Sequence, residues 1–190
     1  MRPTELALTT QHVILKPHDP RWASEFARES AVLASALGGA ISVIHHVGST
    51  AILGIHAKPI IDMLAVTEDL SFLDESTTPI TNLGYEALGE FGISGRRYFR
   101  KDNSAGERTH QIHAFQIGSA QITRHLAFRD YLLAHPTVAH DYDMLKHRLT
   151  AKFPKDIRSY TNGKDSFIKD IDSHAAAWIS KDPHRTDSFQ

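Results

Sequence analysis

Two short stretches carry residue types at a spacing suited to phosphate chemistry: His46-Val47-Gly48-Ser49-Thr50 and Lys58-Pro59-Ile60-Ile61-Asp62. The first closes an apolar run (Ile41, Val43, Ile44, Val47) with a Gly-Ser turn. Gly48 lets the backbone approach a ligand closely. Ser49, Thr50 and the amides that follow can donate to phosphate oxygens. The second stretch enters another apolar run (Ile60, Ile61, Met63, Leu64) with a single carboxylate, Asp62, in its middle. An isolated charge in a buried strand is costly. Asp62 is therefore expected either to pair with Lys58 or an arginine, or to hold a divalent ion together with ligand phosphates. The competing reading of the turn is a plain connection in which Ser49 caps a short helix.

Histidines and cations complete the candidate set. Thirteen histidines in 190 residues are too many for each to be a ligand, and a buried imidazole often does no more than hydrogen-bond a carbonyl. Strand-like alternation over Arg108 to Ile117 puts Gln111, His113 and Phe115 on one face and His110, Ile112, Ala114 and Gln116 on the other. His110 and His113 are candidate metal ligands beside Asp62, and His46 and His113 are candidate bases. Mg²⁺ is the first expectation for the ion. Mn²⁺ or Zn²⁺ would follow from imidazole ligation. His45 and His46 point to opposite faces, and His46, nearer the turn, is expected to face the site. Lys58, Lys146 and Lys164 join Gly48, Ser49 and Thr50 as substrate-binding candidates, and Arg96, Arg97, Arg100 and Arg108 can also meet phosphate.

The surrounding sequence indicates what positions these groups. Asp19-Pro20 starts a helix that Gly38-Gly39 stops. Strands are expected at Ile41–Val47, Lys58–Val66, Gly84–Leu88, Arg96–Lys101 and Arg108–Ile117. A helix over Asp69–Leu83 is interrupted at Pro79. Three helices follow: one ending at His135-Pro136, one over Val138–Phe153 and one over Gly163–Ile179. The expectation is an α+β protein of one domain over 1–190. A mixed β-sheet flanked by helices occupies about 12–118, a helical segment 119–180, and a tail 181–190. The chain is 41% hydrophobic and 23% charged, with net charge −1 and no cysteine. That composition suits a globular protein, gives no global basic field for nucleic acid, and excludes disulfides and thiolate metal sites. No apolar run is long enough to span a membrane, and Met1–Leu15 lacks a signal-peptide pattern, so a cytoplasmic location is expected.

Several of these residues together resemble the GrpB family, a branch of the nucleotidyltransferase superfamily related to DNA polymerase beta and the aminoglycoside nucleotidyltransferases. The resemblance runs from about Val13 to Ile168. It rests on Pro17-His18-Asp19-Pro20-Arg21-Trp22, His46–Ala51, Ala57–Asp62, Arg108–His113 and Phe128–Leu132, and on Ala134-His135-Pro136, Tyr142, Lys146, Tyr160, Thr161 and Lys164. It implies a nucleotidyltransferase-like sheet, a nucleoside triphosphate as substrate, a divalent metal, and transfer to a small acceptor. Departures bear on this expectation. A second acid two residues after the first is usual in such folds, and here that position is Leu64. His45 stands where the family usually has an acid, Leu53 where it has Pro, and His56 where a small residue is common. A nucleotide- or metabolite-binding module without turnover is the alternative, as is altered, ligase-like use of ATP.

Overall fold

The computed structural model describes residues 12–182. Helix α1 (Arg21–Leu37) leads into β1 (Val43–Val47), a 3₁₀ turn (Ser49–Ala51) and β2 (Ile61–Thr67). Two short helices, α2 (Leu70–Glu75) and α3 (Thr77–Asn82), lead to β3 (Tyr85–Ala87), β4 (Arg96–Asp102) and β5 (Arg108–Gln116). Helices α4 (Ala120–Ala134), α5 (Pro136–Lys152), α6 (Ile157–Asn162) and α7 (Asp165–Ser180) complete the described chain. The strands form one mixed sheet in the order β1-β2-β5-β4-β3, in which only the β2–β5 pair is parallel. The architecture is α+β, as expected.

The two faces of the sheet bury different layers. Ile61, Met63, Ala65, Ile112 and Ala114 point toward α1, whose Trp22, Leu33 and Leu37 cover them. Leu64, Val66 and Phe115 point the other way and pack on Ile122 and Leu126 of α4. Strand side chains alternate, so each strand divides its residues between these layers. A third cluster joins the loop after β1 (Ile52, Ile55) to Leu132, Ala139, Tyr142 and Ile171 of α4, α5 and α7. The segment before α1 ties these parts together through its backbone. The Val13 amide donates to the Pro154 carbonyl at 3.0 Å, and Lys16 and Ala57 exchange two hydrogen bonds of 2.8 and 2.9 Å.

Several boundaries differ from expectation for local reasons. The second strand begins at Ile61 rather than Lys58, because the Ile60 amide turns back to the Lys58 carbonyl at 2.7 Å. The break in the 69–83 helix falls at Ser76. Pro79 lies in the first turn of α3, where its missing amide leaves no bond unmade. The separate α6 follows Pro154, and the Asp156 side chain caps it by accepting from the Ser159 amide at 3.0 Å. The expected lead-in at Met1–Thr10 and all but the first two residues of the 181–190 tail lie outside the described residues. No helix among the described residues is long and apolar enough to cross a membrane.

Candidate functional site

The β1–β2 register sets Val47 opposite Asp62, so the turn after β1 emerges beside that carboxylate. Gly48 has φ +71°, the left-handed region that side chains disfavour, and a Cβ there would sit 2.9 Å from Asp62 Cγ. Both requirements specify glycine. The turn is fastened to β2 by Thr50, whose hydroxyl donates to the Ile60 carbonyl at 3.2 Å and lies 3.0 Å from His46 Nε2. Because the Thr50 proton is committed to the carbonyl, His46 donates from Nε2 and Thr50 accepts.

Asp62 opens into a cleft of about 440 Å³ between the sheet and the helical segment. Its neighbours on the sheet are Gln111 on β5 and Tyr98 on β4. Phe128, Tyr142 and Tyr160 line it from α4, α5 and α6. Five cations reach it: Lys58, Arg100, Arg108, Lys146 and Lys164. Arg100 pairs with Glu86 and Arg108 with Asp102, each at 2.5 Å. The Lys58 and Lys164 ammonium groups approach the Tyr160 ring, 5.9 and 4.8 Å from its centroid. Asp62 is the sole carboxylate on the cleft wall among the described residues.

Burial sets the electrostatics. It pushes the Asp62 carboxyl up to about 6, although Lys58, Lys164 and Arg108 pull it down. Burial, with Lys58 beside it, pushes Lys164 down to about 8. Burial pushes Lys146 down to about 8 against the pull of Asp143, and burial with Arg108 nearby lowers Lys58. The cleft therefore holds ammonium groups whose charge is poorly solvated.

Of the residues singled out from sequence, Gly48, Ser49, Thr50, Lys58, Asp62, Lys146 and Lys164 line this one cleft. Three histidines do not. His46 lies on the α1 side of the sheet, stacked on Phe26 with ring centroids 4.8 Å apart. Buried there, it is pushed down to about 4 and held neutral, and it buttresses the turn instead of facing the cleft. His45, paired with Leu64, is the member of that pair on the Asp62 side. His110 pairs with Ile61 and shares the α1 side, where Thr109 meets its Nδ1 at 2.9 Å. His113 is on the Asp62 face but farther along, packed against Tyr98 and His125, with Arg96 Nη1 3.2 Å from its Nδ1. Burial holds it at about 3. The expected grouping of Asp62, His110 and His113 on one ion is therefore not assembled: β5 sends the two imidazoles to opposite faces, and a guanidinium occupies the free nitrogen of His113. Arg96 is buried with that imidazole, and Arg97 is tied to Asp74 at 2.5 Å.

The aromatic wall and Gln111 were not among the sequence candidates. Gln111 was legible through its shared strand face with His113. Phe128, Tyr142 and Tyr160 carry helical spacing indistinguishable from that of core residues. Tyr142 and Ser49 line the same cleft.

Residues 12–174 match the family model described as GrpB protein. The chain is 42% identical over 161 residues to the UPF0157 protein YqkA of Bacillus subtilis, covering 85% of this chain and 46% of that relative's length. It is 36% identical over 169 residues to the glutamate-rich protein GrpB of Alkalihalophilus pseudofirmus, covering 87% and 97%. The chain thus spans about half of the first relative and nearly all of the second. The crystal structure of the conserved protein GrpB from Enterococcus faecalis superimposes with a TM-score of 0.81 at 40% identity, covering 85% of this chain and 96% of that one. The chain belongs to the GrpB family.

Proposed function

We propose that the cleft binds a nucleoside triphosphate and transfers a nucleotidyl group from it to a small acceptor. The observation that carries this reading is the convergence of five cations on a glycine turn beside one buried carboxylate, in a cleft with an aromatic wall. An excess of cations over the single carboxylate on a low-dielectric wall favours a multiply charged anion. The Gly48–Ser49 amides, Lys58 and Lys164 suit the phosphates, and the half-buried Phe128 offers a ring to a base.

The donors near Asp62 are oxygens: its own carboxylate and the Gln111 amide. That chemistry fits Mg²⁺ or Mn²⁺ shared between Asp62 and ligand phosphates, rather than Zn²⁺ on imidazoles. Such an ion would neutralise phosphate charge and orient the ligand. In the transfer, the acceptor's hydroxyl oxygen or amine nitrogen bonds to the α-phosphorus and gives up its proton to solvent as the bond to pyrophosphate breaks. Lys58 and Lys164 neutralise the departing pyrophosphate. The proposed reaction takes place in the cytoplasm and acts on small molecules, not nucleic acid.

A second reading, nucleotide binding without turnover, is favoured by one observation. The position two residues beyond Asp62 is the fully buried Leu64, so β2 supplies one metal ligand instead of two. Calorimetric titration with ATP, GTP, CTP and UTP, each with and without Mg²⁺ or Mn²⁺, tests the shared premise. Micromolar binding that Lys164→Met weakens about tenfold or more, while nucleoside binding is unaffected, supports it. Absence of binding for all four overturns it. Pyrophosphate release on addition of small hydroxyl- or amine-bearing acceptors separates transfer from binding alone.

A further inference from the structure

Outside the cleft, His56, Asp143 and His147 bring one ligand atom each to within 4.8 Å of the others. Asp143 and His147 are four residues apart on α5 and so share a face, and His56 arrives from the loop before β2. The carboxylate is already oriented. Its Oδ1 accepts the His56 backbone amide at 2.8 Å and lies 3.6 Å from the Lys146 ammonium. Its Oδ2 faces both imidazoles, 2.9 Å from His56 Nδ1 and 3.8 Å from His147 Nε2. The carboxylate is 9% exposed and the two imidazoles 35% and 43%, so the cluster has a buried base and an open mouth.

A tetrahedral ion with bonds of about 2.1 Å needs donors about 3.4 Å apart. The two carboxylate–imidazole separations bracket that value, and all three ligand atoms lie within 4.8 Å of one another, so side-chain rotations can close the site. We propose that His56, Asp143 and His147 form a zinc-type metal site, with three protein ligands and a fourth position open to solvent. Two imidazole nitrogens and one carboxylate oxygen suit Zn²⁺ and are a poor set for Mg²⁺. Ligation through Nδ1 of His56 would replace its contact with Asp143 Oδ2 and would require that nitrogen without its proton. The Asp143 Oδ1 contacts act as the outer support that fixes a ligating carboxylate. Lys146, which also donates to the His56 carbonyl, is the nearest cation and opposes the ion. The same Lys146 lines the cleft.

The test uses the full chain, titrated with Zn²⁺ by calorimetry and with Co²⁺ by visible absorption. One Zn²⁺ per chain, a raised unfolding temperature and the intense bands of four-coordinate Co²⁺ are expected, with no thermal shift in millimolar Mg²⁺. His147→Gln, at an exposed position, should leave the metal-free unfolding temperature unchanged and weaken Zn²⁺ about tenfold or more. Asp62→Asn should leave Zn²⁺ binding intact, which separates this site from the cleft. Failure to bind Zn²⁺, equal binding in His147→Gln, or binding abolished by Asp62→Asn would overturn the assignment.

Discussion

Asp62→Asn should stabilise the fold, and by an amount that depends on pH. Burial raises the Asp62 carboxyl from its ordinary 3.8 to about 6. A group held above its unfolded value stabilises the fold fully below pH 3.8, and that contribution is lost as pH rises through 6. The rise converts to about 3 kcal/mol at ~1.4 kcal/mol per pH unit. Asp62 reaches the cleft and its water, so about 1–3 kcal/mol is the expected range. Asparagine keeps the shape and does not ionise. Urea denaturation of both proteins from pH 4 to 7 measures the difference. The advantage of the variant should be near its minimum at pH 4 and grow by about 1–3 kcal/mol toward pH 7, with its midpoint between the two values. A difference that is flat or shrinks with pH would refute the argument that burial, not the lysines, dominates this carboxyl. The same variant should lose metal-dependent nucleotide binding, as expected of a residue kept for function at the expense of stability.

Gly48→Ala should cost about 2–4 kcal/mol, from the left-handed backbone and the forced displacement of Asp62, seen as a lowered urea midpoint with unchanged slope. His113 and His125 are held neutral by burial at about 3 and about 4. Both groups lie below their unfolded value of 6.5. Their contribution is intact above pH 6.5 and falls below it by up to ~1.4 kcal/mol per pH unit for each ring. His113→Gln should therefore flatten the decline in stability between pH 6.5 and 4.5, and an unchanged slope would remove His113 as a cause.

The turn and the acid were legible together because neighbouring strands deliver them. Once Val47 and Asp62 are on adjacent strands, an antiparallel register can bring Gly48 to the carboxylate. The histidines were not, for two different reasons. The alternation of β5 already separated His110 from His113, so placing both on one ion contradicted the strand's own period. The choice between His45 and His46 depended on which face α1 covers. Phe26 settles it by stacking on His46, a contact between distant elements that no local pattern encodes. The aromatic wall was hidden for a third reason. A tyrosine at helical spacing reads the same whether it meets a core or a cavity, and only the docking of α5 and α6 over the sheet distinguishes them.

The backbone strap formed by residues 13–16 has a mechanical consequence. It is bonded on one side to Ala57, which leads to Lys58 and the acid strand, and on the other to Pro154, which leads to α6 and Tyr160. The two jaws of the cleft are thus joined along one edge by three main-chain bonds, in addition to the packing of α4 on the sheet and the Asp143–His56 contacts. A change in the strap is therefore expected to act on the spacing between Lys58 and Tyr160, on opposite walls of the cleft, without replacing either residue.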